Sequence, residues 1–268
     1  MSSVWRYVKR HMLGVYAALA IGYMLLPIAV VFVFSFNQPA GRFNYVWQQF
    51  TFQNWINWDE PPGIRDALIT SLLIAVLASI AATALGALIA LALVRHRFRG
   101  RGPLNFLIFL PMAAPEIVLG ASLLTLFLNQ TLFTLGFWTI FIAHVMFCVS
   151  FVVVTVRARL VDFDRHLEEA AADLGANEWV TFRKITLPLL APAILAGGLL
   201  AFAISVDDFV ITYFNSGSEI TFPVYVWGQA ARGVPPQVNV IGSAIFFVAV
   251  GVMLVNVIRQ TRRERSTA

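Results

Sequence analysis

Residues 156–188 read VRARLVDFDRHLEEAAADLGANEWVTFRKITLP, a polar stretch between two long apolar runs, and its reading decides the fold. Asp164 is placed to cap a helix, because its carboxylate accepts N–H bonds left without partners in a first turn. The alanine-rich run 165–174 favours helix by propensity. Gly175 ends it, since glycine takes the left-handed conformation after a helix at little cost. Asn177 is placed to cap a second short helix through Thr186, and Pro188 opens the apolar run that follows. The expected product is a helix–glycine–helix elbow. Leu167, Ala170, Ala171 and Leu174 recur at helical spacing, so the elbow is expected to offer an apolar ridge to a partner's groove.

The chain around the elbow has 268 residues, 59% hydrophobic and only 12% charged. Soluble chains carry about 25% charged residues, so the deficit, with a mean hydropathy of +0.77, indicates a chain solvated by lipid. Residues 1–268 are expected to form one transmembrane domain. The one cysteine, Cys148, sits inside an apolar run. It excludes a disulfide within the chain and reads as a small packing residue.

Roughly 20 apolar residues cross a bilayer as a helix. Six runs qualify: about 12–36, 67–94, 104–128, 132–156, 189–214 and 238–258. Backbone N–H groups in lipid need internal partners, so the expectation is an all-α membrane protein of six helices. Charge sets the orientation. With the N-terminus inside, sixteen of the 19 Lys and Arg fall in cytoplasmic segments, four of them in the cluster Arg95, Arg97, Arg99 and Arg101. Only Arg42, Arg65 and Arg232 fall outside. The excess of positive charge predicts both termini in the cytoplasm. It also explains the pI of about 9.8 without nucleic acid. The outer segment 43–62, FNYVWQQFTFQNWINWDEPP, is rich in aromatic rings. It reads either as an interfacial belt or as a docking surface for an external partner.

Glu169-Ala170-Ala171, three residues, Gly175, nine residues, then Ile185-Thr186-Leu187-Pro188 reproduce the signature E-A-A-x3-G-x9-I-x-L-P. The loop 157–188 therefore resembles the coupling helix of ATP-binding-cassette (ABC) importer permeases with the MetI-like fold. That resemblance implies that Glu169, Ala170, Ala171, Leu174, Gly175, Ile185, Leu187 and Pro188 attach the chain to a cytoplasmic ATPase. Glu169 would do no chemistry. It would place negative charge near a helix start and meet a basic residue.

The resemblance extends over nearly the whole chain. FIAHVMFCVSFVVVTVRARL (141–160), ISVDDFVITYF (204–214), RHRFRGRGP (95–103) and LPMAAPEIVLG (110–120) are similar to the second permease subunit of bacterial spermidine/putrescine importers, the PotC-type branch. Relatives there also carry opine-like and phosphonate-bearing amines. The implied partners are a second, PotB-like permease, a homodimeric PotA-like ATPase and a PotD-like external binding protein, in a bacterial cytoplasmic membrane. ATP and Mg would sit on the ATPase, with no cofactor on this chain. The chain lacks G-x-x-x-x-G-K-[ST], so it is not the ATPase itself. It shows no Ser/His/Asp constellation and is expected to be no enzyme. His96, His144 and His166 have no ligand-like spacing, and no metal site is expected.

Three carboxylates stand inside apolar runs: Glu116 in the third, and Asp207 with Asp208 in the fifth. Each costs at least about 2.5 kcal/mol at mid-membrane on the insertion scale. No Lys or Arg stands inside a run to pair with them, which suits a pathway for a cation. As adjacent helical residues, Asp207 and Asp208 point about 100° apart, so at most one faces a pore fully. The alternative is that such acids are hydrogen-bonded to Ser205 or Thr212. Tyr213, with Phe202, Phe209 and Phe214, offers aromatic faces for a cation or for packing between spans. Pro111 and Pro115 free carbonyls in the same region. A self-contained secondary transporter, with Glu116 and Asp207 carrying protons, is the rival that the complete elbow argues against.

Overall fold

The computed structural model describes residues 3–130 and 134–267. The chain is helical: α1 (Ser3–Phe34), α2 (Gln53–Ile56), α3 (Ile64–Arg95), α4 (Arg101–Ala113), α5 (Glu116–Leu128), α6 (Phe137–Val161), α7 (His166–Asp173), α8 (Glu178–Thr181), α9 (Leu187–Asp207), α10 (Val210–Asn215), α11 (Phe222–Gln229) and α12 (Pro236–Thr267). Two short strands, β1 (Asn37–Gln38) and β2 (Gln49–Phe50), pair antiparallel. Among the described residues, four helical stretches are long and apolar enough to span a membrane: Gly14–Phe34, Ile64–Arg95, Phe137–Val161 and Glu178–Asp207. A fifth is added if the bent pair α4–α5 counts as one span. The sixth expected run corresponds to the shorter apolar stretch Pro236–Val252 of α12. The expected start of the fourth run, Leu132, lies outside the described residues.

Two expected spans are broken. The run 104–128 is two helices meeting at 112°. Pro115 has no N–H to donate, and its ring excludes helical geometry from the residue before it, so Ala114 is extended (φ −72°, ψ 140°). The run 189–214 stops at Asp207, turns through Asp208 (φ −63°, ψ 120°) and restarts at Val210.

The elbow differs from expectation at its second half. Its helix does not end at Thr186: residues Glu178–Asp207 form one helical span, with a π turn at Phe182–Thr186. The proline ring of Pro188 would clash with the carbonyl four residues back in a regular helix, and a wider turn directly before it removes that clash.

The chain forms two compact units. In residues 65–225, α3 and α9 lie against α6, and Val152 of α6, fully buried, is the meeting point. A Cβ on Gly86 of α3 would stand 2.7 Å from Val152, and one on Gly197 of α9 would stand 3.3 Å from it. Small residues let helices approach closely where apolar burial from lipid gives no drive. Cys148 packs here as expected, its Sγ 3.5 Å from the Ala201 carbonyl. Leu123, Phe127, Ala143, Phe147 and Ile211 form a second cluster around α5, α6 and α10.

In the other unit, residues 3–64 with 226–267, α1 and α12 meet through Phe32 and Phe247, edge to face at 5.0 Å. The aromatic segment 43–62 is a built element. Asn37, fully buried, donates to Asn44 Oδ1 (2.6 Å) and to the Val46 carbonyl (2.9 Å), and accepts from the Gln48 N–H (2.8 Å). Asn54 donates to the carbonyls of Ser35 and Asn37. Phe36 stacks on Phe50 and Trp55.

The Gly86 contact gives a direct expectation. Gly86→Val overpacks the α3–α6 contact and should cost about 1–3 kcal/mol, read as a lower melting temperature in detergent. Gly22→Val, at a position with nothing within 4 Å, should leave it nearly unchanged. Equal melting temperatures for the two variants would refute the close approach.

Candidate functional site

The two helix breaks meet at one cavity. It has a volume of about 350 Å³ and is lined by Glu116, Phe147, Phe151, Ile204, Asp207, Asp208, Phe209 and Val210. The three intramembrane carboxylates of the sequence thus share a single space, of a size usual for small-molecule sites. Tyr213 is not in its wall. Its exposed ring lies against Phe209, centroids 5.4 Å apart.

Each carboxylate has a different setting. Glu116 is not mid-helix, as a straight span would place it. It is the first residue of α5, exposed, where the positive end of the helix dipole favours a carboxylate. Asp207 is the last residue of α9 and exposed. The helix end adds its own negative potential there, so a cation is doubly favoured. Among the described residues, neither acid has a cationic side-chain partner.

Asp208 is different. Its side chain is only 5% exposed. Oδ2 accepts from the Thr212 N–H and from the Thr212 hydroxyl, both at 2.8 Å. Oδ1 accepts from the Ile211 N–H at 3.4 Å. Asp208 therefore satisfies the first turn of α10, where four N–H groups have no helical partner. His144 of α6 closes the group. Its Nε2 lies 2.8 Å from Thr212 Oγ1 and 3.3 Å from Asp208 Oδ2, and its Nδ1 lies 2.7 Å from Ser205 Oγ. A proton on Nε2 lets the ring donate to the Thr212–Asp208 side and accept from Ser205. Thr212 is thus the partner the sequence offered for Asp208, whereas Ser205 serves His144 instead. His144 is the member of this group that no sequence motif marks. Its signal in the sequence is an imidazole alone in an apolar run, which requires buried partners.

The elbow forms the second part of the site. The Asp164 carboxylate accepts from the His166 N–H at 3.0 Å. Gly175 takes φ +83°. Its N–H bonds to the Ala172 carbonyl, and the Ala176 N–H reaches the Ala171 carbonyl, the paired bonds of a Schellman end. The Asn177 side chain accepts from the Val180 N–H at 2.9 Å. Leu167, Ala170 and Leu174 are exposed, Leu174 at 89%, but Ala171 is buried and leaves the expected ridge. Glu169 is exposed beside His166. Ile185 is half-buried, and Leu187 and Pro188 are exposed at the start of α9. Glu168, next to Glu169 in α7, points inward, to Arg95 and Thr186. Burial pushes the Glu168 carboxyl up, but hydrogen bonds from Arg95 and Thr186 and the charges of Arg95 and Arg165 outweigh it, so it falls below its ordinary 4.5. A depressed carboxyl stabilises the fold above its unfolded value and loses that contribution as pH falls through the folded one. The tie is therefore intact at neutral pH.

Residues 82–261 match the family described as "Binding-protein-dependent transport system inner membrane component". The chain belongs to that family. The matched residues include the cavity and the elbow but not the aromatic segment 43–62. Within the family, the chain is 38% identical over 239 residues to the spermidine/putrescine transport system permease protein PotC of Haemophilus influenzae, covering 87% of this chain and 90% of that protein. It is 37% identical over 238 residues to the putrescine transport system permease protein PotI of Escherichia coli K12, covering 86% and 84%. The fold matches the crystal structure of a bacterial ABC transporter involved in the import of the acidic polysaccharide alginate, with a TM-score of 0.65 at 21% identity over 97% of this chain and 98% of that one. The family's members are membrane permease subunits of ABC importers, which the elbow signature had implied.

His144 anchors three elements, so its loss should be felt as stability. His144→Leu removes one donor from buried Asp208 and the ring partner of Ser205, and should destabilise the protein by about 2–3 kcal/mol. Ser205→Ala removes one neutral hydrogen bond and should cost about 1 kcal/mol. Denaturant unfolding of purified protein measures both, and a His144→Leu variant as stable as the parent would contradict the knot.

Proposed function

We propose that this chain forms half of the translocation pathway of an ATP-driven importer of polyamines such as spermidine and putrescine. The observation that carries the reading is the cavity at the two helix breaks, where Glu116 and Asp207 are exposed and have no cationic partner among the described residues. A polyamine is a flexible chain of ammonium groups. Spaced carboxylates supply its charge partners, and the rings of Phe147, Phe151 and Phe209 in the same wall supply cation–π faces. The names of the relatives point to the same solute class.

In this reading the pathway is completed by a second, PotB-like permease. A PotA-like ATPase dimer binds ATP and Mg and seats the exposed ridge of the elbow. A PotD-like binding protein delivers the solute from outside. The chain catalyses no covalent step. It forms a single transmembrane domain in the bacterial cytoplasmic membrane, and its charge distribution supports cytoplasmic termini. ATP binding closes the motor, the elbow moves, and the spans alternate access to the cavity.

Asp207→Asn combined with Glu116→Gln keeps the shape of the cavity and removes its free charge. The assembled complex should persist, while spermidine uptake at limiting concentration should fall by roughly tenfold or more, the size of a single lost charge contact. Unchanged uptake would eliminate the acidic cavity as the cation path. Retained uptake of an amine bearing phosphonate, with loss of spermidine uptake, would shift the solute to that class.

A further inference from the structure

Besides the chain at either end and apolar packing at Ala171 and Phe163, a knot of polar side chains joins the elbow to its unit. Glu168 is the centre of that knot. One oxygen accepts from Nη1 of Arg95, the last residue of α3, and the other accepts from the hydroxyl of Thr186. Arg165 adds a bond from Nη2 to the Val94 carbonyl at 3.3 Å. The Arg95 guanidinium also lies over the Phe163 ring, 5.2 Å from its centroid. The Arg95 and Glu168 side chains are only 20% and 17% exposed. None of the three central residues belongs to the E-A-A-x3-G-x9-I-x-L-P pattern. Glu168 precedes it, Thr186 fills a variable position in it, and Arg95 stands in a cluster that the sequence explains as a topological anchor.

Their placement has a mechanical meaning. Arg95 is 73 residues from Glu168 in sequence, so a push on α7 reaches α3 only through side chains. Thr186 is the last residue of the π turn. A π turn interrupts the regular helical hydrogen-bond ladder, so force transmitted along α8 alone meets its softest point there. The Glu168–Thr186 bond bridges from α7 to the far side of that turn.

We propose that Glu168 is a positioning residue that clamps the coupling helix to two spans at once, so that a displacement imposed on α7 carries the end of α3 and the start of α9 together. The proposal rests on the reading of this chain as part of an ATP-driven importer. Without the clamp, the motor still docks on the exposed face of the elbow and still hydrolyses ATP, but the stroke is lost in the loop.

The test uses the whole complex, with partner permease, ATPase and binding protein, reconstituted in liposomes with spermidine. The readout is spermidine moved per ATP hydrolysed. Glu168→Gln should lower that ratio by about fivefold or more, with the ATPase still bound and hydrolysing. Thr186→Val should lower it in the same direction, and Thr186→Ser, which keeps the hydroxyl, should restore it. The reversed pair Arg95→Glu with Glu168→Arg should recover most of what either single change loses. A ratio for Glu168→Gln within about twofold of the parent, or a reversed pair no better than its singles, overturns the clamp. A Glu168→Gln complex that no longer retains the ATPase overturns it as well, because Glu168 would then serve docking. A parent complex whose ATP hydrolysis ignores spermidine-loaded binding protein overturns the importer reading along with the clamp, so the two failures are distinguishable.

Discussion

A helix that stops within an apolar layer leaves backbone amides and carbonyls without partners, and the protein must supply them from its own side chains or from a polar cavity. That constraint organises residues 65–225. The break at Asp208 is sealed by Asp208 itself, which accepts the amides of the next helical turn, and by His144, which holds Asp208 and Thr212 on one side and Ser205 on the other. The break at Ala114–Pro115 needs less sealing, because proline has no amide and the Ala114 N–H still reaches the Leu110 carbonyl. Both interruptions open onto the same cavity. The acids there are thus a product of the breaks: Asp207 is where α9 stops, and Glu116 is where α5 begins.

Three acids in one cavity do not have one role. Asp208 is buried and saturated with donors, so its charge is consumed in holding α10. Asp207 and Glu116 retain exposed oxygens and stand at helix ends of opposite dipole sign. A cation entering this space meets two free carboxylates and a ring of phenylalanines, with the third acid acting as a fixed wall.

One helical element joins the elbow to the cavity. The span Glu178–Asp207 is one helical element of 30 residues, about 45 Å at 1.5 Å per residue. It begins in the elbow, passes through the π turn and ends at the Asp207 carboxylate. Close contact with α6 at Gly197 gives it a rigid track. From the far side of the π turn, α9 runs to the cavity without an intervening loop. The aromatic segment 43–62, by contrast, is built around buried asparagines and a stack of rings, with Tyr45 and Trp47 left exposed. Much of its order comes from side-chain bonds to carbonyls, which a stretch with little regular secondary structure requires.

Much of this was legible in the amino-acid order. Long apolar runs can only be helices in lipid, Gly175 can turn left-handed where other residues are strained, and the seven fixed positions of the elbow identify the permease family. Glu116, Asp207 and Asp208 stood out because ionisable groups are costly in apolar runs. What the sequence could not determine was which contacts those residues make. Runs of apolar residues hide a break when the only mark is a proline or a carboxylate pair, since both also occur in continuous helices. Hence the straight third and fifth spans, and the elbow helix ending at Thr186, gave way to broken and continued helices. The roles of His144, Arg95 and Glu168 depend on partners that are distant in the chain, 61 residues for His144–Ser205 and 73 for Arg95–Glu168. Local propensity carries no information about such pairs, because only close packing of α3, α6 and α9 brings them together.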